Sequence, residues 1–124
     1  MRRTTSTHQF LAAVILTGAI SLLVAGYALA ECQPGQMQEA NLQYASAAEF
    51  LNAQQWDQAI ARLNSIVQVC PEHVQANRGL GTAYFGMADF EKAAEYYRTV
   101  IELRGEEAEA GDFGNLGKTL SLIH

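Results

Sequence analysis

Cys32, Cys70 and His73 are the side chains of this sequence best suited to chemistry. Thiols oxidise or bind metal, and an imidazole moves protons near neutral pH. Cys32 and Cys70 are the only cysteines, and His73 stands three residues after the second. Zinc asks for four ligands at recognisable spacing, and these offer three at most. The Cys-x-x-Cys-His run that attaches haem is absent from the sequence. No metal and no cofactor is expected. Catalysis finds even less support, because no serine or cysteine stands in a nucleophile motif and no carboxylate pair has a distinctive setting. The glycines near the C-terminus lack the lysine spacing of a phosphate loop. Outside the leader, His73 and the terminal His124 remain as bases, and His73 reads as an exposed residue opening a helix. The chain is read as no enzyme.

Residues 1–30 have the layout of an export signal. Arg2 and Arg3 precede an uncharged run from Phe10 to Ala30, and Ala28-Leu29-Ala30 supplies the small-x-small pattern of a cleavage site. Cleavage after Ala30 would leave a mature chain starting at Glu31, periplasmic in a Gram-negative cell. The alternative is an uncleaved anchor in the inner membrane, since the uncharged run is long enough to span a bilayer. Glu31 separates Ala30 from Cys32, which argues against lipidation, and Thr4 to Thr7 stand where a twin-arginine signal has an apolar residue. Both cysteines follow this leader, and an even count outside the cytoplasm favours a disulfide. The whole chain of 124 residues has a formal net charge of −5. Without Arg2 and Arg3, six basic residues face thirteen acidic ones, a net of −7. No basic stripe is present, so nucleic acid is excluded as a partner.

The remaining sequence has helical periodicity throughout. Helices are expected from about Met37, over 57–69, over 74–86, from Phe90 to about Leu103, and from about Glu107 to Leu122. Glu31 to Gly35 reads as a connector, because Pro34 and Gly35 are poor in helix interiors. Breaks fall at Gln54-Gln55 and at Met87-Ala88-Asp89, with Asp89 as a helix N-cap. The periodicity also repeats. Shifted by 34 residues, Ala47 lands on Gly81, Phe50 on Tyr84, Trp56 on Phe90, Ala59 on Ala93, Leu63 on Tyr97 and Ile66 on Val100. Small residues match small ones and large match large. Leu80-Gly81-x-x-Tyr84 followed by Ala93-x-x-x-Tyr97, with Pro71 closing the preceding unit, resembles the tetratricopeptide repeat. Leu116-Gly117 and Leu120 then reproduce Leu80-Gly81 and Tyr84 at a spacing of 36.

The resemblance implies an all-α, tetratricopeptide-like solenoid of antiparallel helix pairs over 31–124. Its repeats would run over about 40–73 and 74–107, with a half repeat over 108–124. It also brings the start of one helix beside the end of its partner, and so Cys32 beside Cys70 in a disulfide. In this family the first helices of successive repeats line a concave groove that holds a peptide or a partner helix. Carried onto this chain, the groove holds Asn41, Tyr44, Ala48 and Asn52 from the first repeat. The second repeat adds Gln75, Arg78, Thr82 and Phe85, and the half repeat adds Lys118. Members that grip acidic chaperone tails use lysine and asparagine on these helices. Tyr44, Ala48 and Gly79 stand at those places here, so that clamp is absent. Arg78 and Lys118 leave positive charge in the groove.

The implied function is an interaction module for an unidentified protein or peptide, a scaffold or adaptor of the cell envelope. Contact with a membrane is expected only through an uncleaved leader. The alternative is self-association, a homo-oligomer in which the half repeat at Leu116, Leu120 and Ile123 is completed by a second copy.

Overall fold

The computed structural model describes residues 31–123. The leader and its cleavage site at Ala28 and Ala30 lie outside the described residues. Among those described there are five α-helices: α1 Pro34–Asn52, α2 Trp56–Val69, α3 Val74–Gly86, α4 Phe90–Arg104 and α5 Ala110–Ser121. A 3-10 turn, Gly105–Glu107, joins the last two. Each helix packs on its sequence neighbour, and α1 also touches α3. This is the expected all-α solenoid of helix pairs.

Two boundaries differ from expectation. Pro34 and Gly35 open α1 instead of preceding it. Proline at the first helical position lacks only an N–H that has no partner there anyway, and its φ already suits the helix. Gln36 Oε1 accepts from the Gln33 N–H at 3.0 Å and closes that end. Glu107 falls in the 3-10 turn, and the last helix starts at Ala110 instead of about Glu107. The acids that meet the positive end of α5 are Glu109, its N-cap, and Asp112 in its first turn.

The first two repeats share their backbone as well as their side-chain pattern. In the first turn Ala53, Gln54 and Gln55 donate N–H bonds to Glu49, Leu51 and Phe50. In the second, Met87, Ala88 and Asp89 donate to Ala83, Phe85 and Tyr84, the same three bonds shifted by 34. Gln54 and Ala88 both take a positive φ, 56° and 62°. Asp89 caps α4 by accepting from the Lys92 N–H at 3.3 Å, as expected.

The core explains why small residues recur. Ala47, Ala59, Leu63, Ile66, Ala76, Leu80, Ala93 and Val100 are all buried. α3 lies between α2 and α4 and touches both through glycines. A Cβ on Gly79 would come within 3.0 Å of Leu63, and one on Gly81 within 2.6 Å of the Tyr97 ring. The interhelical gap is filled by the leucine and the ring, not by the helix that faces them. At the other end, α5 repeats α3 at the spacing of 36. Its N-cap Glu109 answers His73, and buried Asp112 and Thr119 answer Ala76 and Ala83. α4 covers one side of α5. Its other side, with Phe113 54% exposed and Leu120 40% exposed, is open.

Cys32 and Cys70 are joined as a disulfide, with Cα atoms 4.8 Å apart. The bridge ties the start of α1 to the α2–α3 turn, where Glu72 Oε1 also accepts the Cys32 N–H at 3.2 Å.

Candidate functional site

α3 presents Gln75, Arg78, Thr82 and Phe85 at helical spacing along one stripe. Two concavities lie along it. The first, about 400 Å³, is lined by Met37 and Asn41 of α1, His73, Gln75 and Arg78 at the start of α3, and Arg104 at the end of α4, among others. The second, about 180 Å³, is lined by Thr82, Phe85, Tyr97, Asn115 and Lys118. Six of the nine expected groove residues therefore line these cavities. Tyr44 is half-buried beside the first, its ring centroid 5.9 Å from that of His73. Ala48 is half-buried and Asn52 exposed, and neither lines either cavity.

The charge of the groove differs from the expectation. Arg78 donates to Asp112 Oδ1 at 2.7 Å, so the Asp112 carboxylate neutralises its positive charge. Asp112 is buried, and burial alone would raise its pKa. The Glu109 N–H, the Arg78 hydrogen bond and the charges of Arg78 and Arg104 outweigh burial and hold the carboxyl below the ordinary carboxylate value. Asp112 is therefore ionised at neutral pH. It joins α3, the end of α4 and α5 in one cluster, with Arg104 Nε 3.3 Å away. Arg104 in turn pairs with Glu109 at 2.6 Å. Among the described residues Lys118 has no such carboxylate partner. Its ammonium lies 5.2 Å from the centroid of the Phe85 ring, within range of a cation–π contact. Phe85 is half-buried, edge-on to Phe90 with centroids 5.3 Å apart.

His73 is the main correction. It is 2% exposed, not on the surface. Its Nδ1 accepts the Ala76 N–H at 3.0 Å and caps α3, while Nε2 lies 2.9 Å from Asn41 Oδ1 on α1. Burial lowers its pKa, against a smaller raising effect from its own backbone hydrogen bond. Histidine ranks low among N-caps by sequence preference, so nothing local marked this role. Tyr97 and Asn115 were also missed as lining residues. The Tyr97 hydroxyl is 3.4 Å from Thr82 Oγ1. Burial raises its pKa, which the bond to Thr82 only partly offsets. Asn115 stands one helical turn before Lys118 on α5, which is the signal that could have found it.

Stacked antiparallel helix pairs with a polar, aromatic-bearing stripe define a helical-repeat domain. The Tetratricopeptide repeat family model matches residues 76–104. Tetratricopeptide repeat protein 17 of Danio rerio is 32% identical over 63 residues, covering 51% of this chain and 5% of that protein. The chain thus spans a small fraction of that relative's length. The crystal structure of a tetratricopeptide repeat domain protein from Salinibacter ruber is similar with a TM-score of 0.54 at 26% identity. That likeness covers 67% of this chain and 94% of the other. These likenesses support a tetratricopeptide repeat protein, and repeats of that family generally mediate protein–protein interaction.

Proposed function

We propose that the chain is a scaffold or adaptor of the cell envelope that holds an extended peptide or partner helix along the α3 stripe. The observation that carries this reading is the convergence of six groove residues from α1, α3 and α5 on two adjoining cavities. Gln75 and Asn41 offer amides to a peptide backbone, and Phe85 offers flat apolar surface. The envelope location rests on Arg2, Arg3 and the run ending at Ala30. A product recovered from the periplasm with the mass of a chain starting at Glu31 would support it, and an intact leader in the membrane fraction would favour the anchor.

The groove is tested with a peptide selected from a displayed library against the wild-type chain. Gln75→Ala and Phe85→Ala are each expected to weaken that peptide about fivefold or more, as truncation of an interface anchor does. Arg78 is a poorer probe, because removing it strands the buried Asp112 carboxylate. Unchanged affinity in both variants would place the peptide elsewhere. A second reading is favoured by the open face of α5, with Phe113 and Leu120 exposed. There a second copy completes the half repeat. Sedimentation of the wild-type chain separates the two readings: a dimer that Leu120→Asp makes monomeric supports self-association, and a stable monomer sinks it.

A further inference from the structure

The larger cavity contains a relay that the groove reading does not use. Ala76 donates its N–H to His73 Nδ1, so that nitrogen carries no proton. The neutral ring then has its proton on Nε2, which donates to Asn41 Oδ1 at 2.9 Å. Asn41 spends its carbonyl on this bond. Its Nδ2 donates to no protein atom among the described residues, although Asn41 lines the cavity. The imidazole therefore fixes which end of the Asn41 amide stays available, and it does so from a buried position between α1 and α3.

We propose that His73 is a positioning residue that holds the Asn41 amide with its N–H groups available to a main-chain carbonyl of the bound peptide, and that protonating His73 disables this site. The inference rests on the groove reading and adds its control. A protonated ring bears hydrogen on both nitrogens, so Nδ1–H would face the Ala76 N–H, donor against donor. That repulsion turns the ring out of its capping place, and Nε2–H, which would still donate to Asn41 Oδ1 from the capping position, is carried away from the amide. The groups around the ring do little to prevent this. Tyr44 sets its ring beside the imidazole, and Arg78 and Arg104 are already paired with Asp112 and Glu109. Glu72 and Glu107 line the same cavity, and Glu72 Oε1 is taken by the Cys32 N–H. Burial favours the neutral ring and sets the switch below the usual histidine range.

The linkage has one sign. The folded-state pKa lies below the unfolded value, so the neutral ring's contribution is full above the unfolded pKa. It is lost as pH falls towards and through the folded one.

The test has two readouts on the whole, disulfide-bonded chain. Without any peptide, nitrogen NMR of His73 is expected to show the proton on Nε2 at about pH 8, and the Asn41 side-chain amide signal should shift as the ring titrates on the way to about pH 5. With the library-selected peptide as probe, affinity should fall at least about fivefold over the same range, the worth of one lost hydrogen bond and its lock. His73→Asn keeps a good N-cap but cannot titrate, and it should bind weakly at every pH. Asn41→Asp still accepts from Nε2 but has no N–H to offer. It should keep the His73 tautomer and lose affinity.

A proton on Nδ1, or an Asn41 signal indifferent to the titration, overturns the relay. Binding that depends on Gln75 and Phe85 but ignores pH and both variants overturns the proposal and leaves the groove intact. If no peptide is selected, or binding ignores Gln75 and Phe85, the groove reading fails and this site fails with it.

Discussion

With Cys32 and Cys70 both replaced by alanine, the domain is expected to lose about 4 kcal/mol of stability, the chain-entropy value for a loop of this length. The bridged residues are 38 apart in sequence and tie the start of α1 to the α2–α3 turn. The unfolded chain without the bridge gains the conformations that the closed loop denied it. Domains of this size have roughly 5–15 kcal/mol in all, so the loss is a large fraction. Alanine suits the test better than serine because Cys70 is fully buried, and a hydroxyl there would need a partner. Urea unfolding of the oxidised, reduced and double-alanine chains should give a high midpoint for the first and matching low ones for the others. Coincident midpoints for all three would mean that the bridge contributes nothing.

Gly81→Ala and Gly117→Ala are expected to have opposite signs although they occupy the same place in their repeats. At Gly81 the new methyl would sit 2.6 Å from the Tyr97 ring, which is 6% exposed and would have to shift to admit it. Overpacking of this kind costs about 1–3 kcal/mol. At Gly117 nothing lies within 4 Å of the added Cβ, because no other described helix covers that side of α5. There the change only removes a poor helix former and should stabilise by about 0.5–1 kcal/mol. Thermal unfolding of the two variants beside the wild type is sufficient. Stabilisation at Gly81 would show that the interhelical gap is looser than described. Destabilisation at Gly117 would show that something packs against the open face in solution, and would revive self-association.

Much of the fold was legible in the residues. The 34-residue match of Ala47 with Gly81 and Leu63 with Tyr97 works because these side chains fill a single interhelical gap, whose size both repeats share. Trp56 and Phe90, equivalent at the spacing of 34, both fall at the first residue of their second helices, one residue before the expected start at Asp57 in the first repeat. Local preference misled at Pro34 and Gly35, where poor interior residues proved acceptable at a helix start. The groove was read less completely. Helical spacing places Gln75, Arg78, Thr82 and Phe85 on one stripe whatever surrounds them, so this much needed no structure.

What lies opposite that stripe depends on packing between helices, and periodicity within one helix carries no information about it. Arg78 looked like free charge because its partner Asp112 is 34 residues away on α5. His73 looked exposed because a histidine after Pro71-Glu72 is usually solvated. Its burial follows from α1 lying across the start of α3, which brings Asn41 within 2.9 Å of Nε2. The sequence by itself determined the helices, their repeat and the pairing of the cysteines, since each follows from local spacing or a count. The tertiary structure alone decided which charges are neutralised and which imidazole nitrogen is free to bear a proton. Those properties belong to contacts between distant residues, made only once the helices stack.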